Sequence, residues 1–150
     1  MHYRPEIDGL RALAIIPVVL FHAGVEFCSG GFLGVDIFFV ISGYLITGII
    51  VKETQENKFS VINFLTRRAR RILPPLYFMM FFVSIFYLLI ARPSVEECTL
   101  FRGSLLSSVS FLSNFYFALN TGYFAASSEL LPFLHTWSLS VEEQFYLIYP

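Results

Sequence analysis

The sequence predicts an all-α protein, a polytopic bundle of transmembrane helices, and three observations carry that expectation. Of its 150 residues, 56% are hydrophobic and only 14% are charged, with 18 phenylalanines. A water-soluble domain exposing that much apolar surface would aggregate. The apolar residues gather in runs near the length of a bilayer crossing. Finally, Lys52, Lys58, Arg67, Arg68, Arg70 and Arg71 crowd one connection between two such runs. The formal net charge of −1 leaves no basic face or tail for nucleic acid. Two cysteines without metal-ligand spacing give neither a disulfide framework nor a metal site.

The first span is read at Ala12–Cys28, ALAIIPVVLFHAGVEFC, interrupted by Pro17. No small-residue cleavage site follows it, so it reads as a retained helix. The second is Gly31–Val51, where Gly30, Gly31, Gly34, Gly43 and Gly48 let helices approach closely. The third is Leu73–Ala91, opened by Pro74 and Pro75 as a helix start permits. The basic connection belongs on the cytoplasmic side by the positive-inside rule, which makes the N-terminus cytoplasmic too. The Cys28–Gly31 turn and the Arg92–Arg102 segment then lie outside, where Cys28 and Cys98 could pair.

Gly103–Leu119 carries Leu105, Val109, Leu112 and Tyr116 at helical spacing, with Ser107, Ser110 and Asn114 on another face. It reads as a possible fourth span or, by preference, as an amphipathic helix on the outer surface. Asn120–Trp137 reads as a loop, and SLSVEEQFYLIYP as the start of a further helix. There Ser140 is the expected N-cap and Glu143 the residue reaching back in a capping box.

Four groups of residues could carry chemistry. His22 stands inside an apolar run, where an ionisable side chain usually faces a bundle interior or a wet cavity. Arg11 lies eleven residues earlier on the same helical stripe, roughly 16 Å away, with Asp8 as its partner or as a helix cap. Asp36, about one and a half turns inside the second span, is expected to meet His22 and orient it as a general base. Arg67, Arg68, Arg70 and Arg71 share helix faces at the membrane surface, a cationic shelf for a phosphorylated ligand. Ser42 and Ser84 have no base within a turn and read as packing hydroxyls.

Four blocks, YRPEIDGLRALAIIPVVLFHAG, GGFLGVDIFFVISGYLIT, FLTRRARRILPPLY and FLHTWSLSVEEQFYLIYP, together resemble the acyltransferase 3 family. These bacterial multi-pass membrane proteins O-acylate cell-surface polysaccharides, O-antigen and peptidoglycan among them. The resemblance covers nearly the whole chain, read as one region over residues 1–150. It implies an acyl-coenzyme A donor, usually acetyl, a carbohydrate acceptor and the cytoplasmic (inner) membrane. It implies His22 as the essential catalytic residue with Arg11 also needed, and it sets the family's R-x-x-R pattern on Arg67–Arg70 and Arg68–Arg71. His135, Trp137, Glu142 and Glu143, in the fourth block, join the arginines as candidates for binding donor or substrate. Family members carry more spans than this chain, so it resembles their N-terminal part. The alternative expectation is a non-catalytic remnant, or one piece of a split enzyme that needs a further chain.

Overall fold

The computed structural model describes residues 4–120 and 131–150, and every regular element among them is a helix. The chain divides into two compact units, Met1–Phe59 and Ser60–Pro150. The first is a helical hairpin. Its α1 runs from Pro5 to His22, with Pro5 in the first turn, where a missing N–H costs nothing, and Glu6 and Asp8 at the positive end of the helix. Gly24, at φ 75°, ends it. The amides of Gly24 and Val25 donate to the carbonyls of Phe21 (3.1 Å) and Leu20 (3.1 Å), the paired bonds of a Schellman motif. The first helix therefore stops at His22 instead of continuing to Cys28.

Two single turns, Glu26–Cys28 and Gly31–Leu33, lead into α2, Gly34–Gln55. Asn57, at φ 52°, closes α2 with the same pattern, its amide donating to the Thr54 carbonyl (3.0 Å) and the Lys58 amide to the Glu53 carbonyl (2.8 Å). The hairpin is held by glycine. A Cβ on Gly31 would collide with the Pro17 carbonyl, and one on Gly34 with the carbonyl of the fully buried Ala14. Each glycine thus turns a Cα–H toward an α1 carbonyl, a weak bond that recurs where helices touch closely. Gly30 and Gly43, expected to do the same, face open space.

In the second unit α3 spans Val61–Phe86, with the Ser60 hydroxyl accepting from the Asn63 amide as N-cap. Pro74 and Pro75 lie inside this helix, so they do not open it; what they remove is the intrahelical donor to the Arg70 and Arg71 carbonyls. A π turn at Tyr87–Ala91 and a left-handed Arg92 end α3. Next comes α4, Val95–Val109, opened by a capping box of Ser94 and Glu97 that the sequence reading overlooked.

Gly103–Leu119 is not one helix, whether spanning or superficial. The chain breaks at Phe111, φ 54°, and resumes as α5, Ser113–Asn120. The last helix, α6, is Thr136–Ile148. Its N-cap position is His135, so Ser140 lies within the helix, 1% exposed, and makes no capping box with Glu143. A core of Leu76, Met80, Phe101, Phe117, Leu131 and Phe133 binds the unit, with Tyr87 stacked on Phe101 at 4.6 Å.

Serine and threonine hydroxyls lock α6 in place. Thr136 meets Ser108 at 2.7 Å and Ser113 at 3.1 Å, and Ser113 meets Ser140 at 2.7 Å. Gln144 donates to the Phe111 carbonyl (2.8 Å) and to the Asn114 side chain (2.9 Å), which donates back at 3.1 Å. The left-handed break is therefore fastened from α6. Ser84 donates to the Met80 carbonyl at 2.7 Å, one turn back in its own helix.

Among the described residues two stretches are long and apolar enough to cross a membrane, Gly31–Gln55 and Val61–Ala91, where three spans were expected. The N-terminal start of α1 brings Glu6, Asp8 and Arg11 into its 18 residues, which removes it from that class. Only 17% and 11% of the two apolar windows are buried. The core helix of a soluble domain would be mostly covered, so these surfaces call for lipid or further helices.

Candidate active site

His22 is the last residue of α1, exposed, with its ring edge-on to Phe21 at 5.3 Å. Its Nδ1 lies 2.8 Å from the Val18 carbonyl. A carbonyl can only accept, so Nδ1 carries the proton, and in the neutral ring Nε2 keeps a free lone pair. The backbone thus does what Asp36 was expected to do. No ion pair joins His22 to Asp36 among the described residues. Asp36 sits exposed in the first turn of α2, where a negative charge suits the helix dipole.

Arg11 does pair with Asp8, Nη1 to Oδ1 at 3.8 Å, one turn apart. Asp8 is inside α1, so it is no helix cap. The Arg11 Nε is buried without a hydrogen-bond partner. Arg11 and His22 sit toward opposite ends of α1, as their spacing requires.

In the second unit the four arginines separate. Arg67, Arg70 and Arg71 are exposed on α3, a cationic surface as expected. Arg68 is half-buried and turned to α6: its Cζ lies 5.7 Å from the Phe64 ring centre and 5.5 Å from that of Tyr146. Those rings are 1% and 3% exposed and meet edge-to-face at 6.3 Å. Glu142 accepts a short bond from the Tyr146 hydroxyl. Glu143 has one carboxylate oxygen buried without a partner. Burial and the neighbouring Glu142 charge push its pKa up to about 7, against the opposing pull of Arg68.

His135 is exposed at the start of α6, and Trp137 packs on the hydrophobic core, a structural place for a residue expected to bind substrate. Phe64, Tyr146 and Gln144 were missed as neighbours of these groups. Only the Glu142–Tyr146 spacing of four residues could have flagged one of them. Cys28 and Cys98 are both free thiols, not a disulfide. No cluster of metal ligands occurs among the described residues.

Two long uncovered apolar helices mark a helical membrane protein, one that presents the His22 imidazole at a helix end and a cationic surface on another helix. The chain belongs to the acyltransferase 3 family, whose Acyltransferase domain matches residues 4–150. It is 42% identical over 150 residues to the peptidoglycan O-acetyltransferase OatA of Listeria monocytogenes, covering 99% of this chain and 24% of that protein. It is 40% identical over 150 residues to the O-acetyltransferase OatA of Staphylococcus aureus, again covering 99% of this chain and 24% of the relative. The chain thus spans about a quarter of the length of these relatives. No solved structure matches it.

Proposed function

We propose that this chain is the N-terminal part of a membrane O-acyltransferase that moves an acetyl group from acyl-coenzyme A to a hydroxyl of a cell-wall carbohydrate. The observation that carries this reading is His22, whose Nδ1–H is committed to the Val18 carbonyl and whose Nε2 is left to act as a base. The family match and the relatives' activity on peptidoglycan supply the reaction class and the acceptor class.

Nε2 removes the acceptor hydroxyl proton as that oxygen attacks the acyl carbonyl carbon. The carbon–sulfur bond then breaks, and the imidazolium returns its proton to the departing thiolate. In this reading Arg67, Arg70 and Arg71 hold donor phosphates through charge-assisted hydrogen bonds. The protein sits in the bacterial cytoplasmic membrane with the connection between α2 and α3 inside, supported by the six basic residues between Lys52 and Arg71.

The test is acetyl transfer from acetyl-coenzyme A to peptidoglycan fragments by membranes carrying the complete protein. His22→Ala should lower kcat by about 10²–10⁴ while inserting at normal levels, the range for loss of a general base. Wild-type turnover by that variant refutes the mechanism.

A further inference from the structure

The two helices of the hairpin differ in where their charges fall. Gly31 lies against Pro17 and Gly34 against Ala14, so each step along α2 is matched by a step back along α1. The same register carried on brings Arg4 beside Tyr44, where its Nη1 donates to the phenol oxygen at 3.1 Å. Tyr44 stands midway between Asp36 and Lys52, and no charged residue lies between those two. That uncharged stretch is about 24 Å of helix, most of the hydrocarbon thickness of a bilayer. Its second half, LITGIIV from Leu45 to Val51, belongs in lipid or protein and not in water, which sets Lys52 at the membrane surface. Arg4 then lies about 12 Å below that surface. Glu6, Asp8 and Arg11 follow it on α1, deeper still.

Charges at such depth pair with one another or line a wet cavity. Pairing falls short here. Arg11 reaches Asp8 only at 3.8 Å, and its Nε is buried without a partner. Among the described residues no ion pair takes up Arg4 or Glu6. What the hairpin offers instead is an open cleft of about 390 Å³, lined by Arg4, Glu6, Ile7 and Tyr44. We propose that this cleft is filled with water and open to the cytosol, so that solvent reaches the middle of the membrane along the start of α1. This rests on the membrane placement above, with the connection between α2 and α3 inside. The chemistry of the walls fits water better than an ion. One acid and one base face the cleft, and the next charges along α1 are again one of each, so neither sign is favoured. Water donates to Glu6 and accepts from Arg4, which meets both needs at once.

The experiment is cysteine accessibility in the complete protein, made cysteine-free and held in inside-out membrane vesicles. The probe is a methanethiosulfonate carrying a fixed trimethylammonium charge, which reacts with the thiolate and therefore needs water at the thiol. Asn57→Cys, in the basic connection, gives the rate at the cytoplasmic surface. Phe78→Cys is the control for depth, because Phe78 is exposed on the apolar α3 and lies about 10 Å beyond Arg71. Ile7→Cys and Tyr44→Cys should react within about tenfold of Asn57→Cys, and Phe78→Cys about a hundredfold more slowly, the penalty for bringing a charge into hydrocarbon. Ile7→Cys leaves the Arg4–Tyr44 bond intact and decides the matter if Tyr44→Cys inserts poorly. Ile7→Cys and Tyr44→Cys reacting no faster than Phe78→Cys overturns the cleft and leaves the membrane placement standing. Asn57→Cys reacting only from the opposite face of the membrane overturns the placement, and the cleft falls with it.

Discussion

Gly34→Ala adds one methyl group at one of the two close approaches in the α1–α2 hairpin. Its Cβ would enter the Ala14 carbonyl and lie 2.8 Å from the Val18 Cγ2. A side chain could rotate away, but a backbone carbonyl moves only if α1 moves. Overpacking of this kind costs about 1–3 kcal/mol. Losing the Cα–H contact to the carbonyl adds about 0.5–1 kcal/mol. Alanine recovers about 1 kcal/mol through its better helix propensity. The result is a net destabilisation of about 2 kcal/mol, carried by the contact between helices. Gly43→Ala is the matched control, because nothing lies within 4 Å of a Cβ there. It keeps the propensity gain and should be neutral or stabilising by up to about 1 kcal/mol. The assay is reversible unfolding of the purified protein in detergent micelles, followed by circular dichroism. If Gly34→Ala proves as stable as Gly43→Ala, α1 and α2 do not pack as described.

Two further outcomes follow from single contacts. Thr136→Val keeps the shape but strips Ser108 and Ser113 of a partner in a buried network, Thr136 itself being 3% exposed. It should cost on the order of 1–3 kcal/mol in the same assay, and an unchanged unfolding midpoint would show the network to be slack. Gly24→Ala meets no neighbour but forces alanine to φ 75°, at a cost of about 1–2 kcal/mol. Because Gly24 ends the helix that presents His22, the change should also lower acetyl transfer; a normal rate would detach the helix end from the chemistry.

Much of the helical order could be read in the sequence, and its helix ends mostly could not. Apolar runs located α2 and the second half of α3, because an uncovered apolar helix must look apolar all round. The start of α1 was misplaced, since hydropathy begins at Ala12 whereas Pro5 and the acidic first turn begin the helix earlier. Gly24 and Asn57, residue types that tolerate positive φ, are the local stop signals that end α1 and α2. The break at Phe111 had no such signal. Phenylalanine rarely adopts a left-handed conformation, and here its carbonyl is held by Gln144, 33 residues away. A bond of that range is invisible to any local pattern. The same distance hid the place of Ser140, whose S-x-x-E spacing suggested a cap while the Ser113 hydroxyl drew it into the interior.

The site was legible in its residue types and much less so in its pairings. His22 stood out because an imidazole in an apolar run needs a partner. Sequence reasoning supplied a carboxylate, while the chain uses a carbonyl four residues back. The two partners differ in consequence. A carboxylate from α2 would tie the base to the fit between two helices, whereas the Val18 carbonyl ties it to the last turn of its own helix. Orientation of Nε2 is then a local property of α1, and the glycine contacts of α2 act on that helix as a whole. The arginine run separates for the opposite reason. A period of 3.6 residues cannot aim four nearly consecutive arginines one way. Arg68 was destined for a different face from Arg67 and Arg71, and only tertiary structure could show that the face holds Phe64 and Tyr146. What the sequence presents as one basic cluster is thus an exposed cationic surface on α3 and a separate half-buried guanidinium set over the rings of Phe64 and Tyr146.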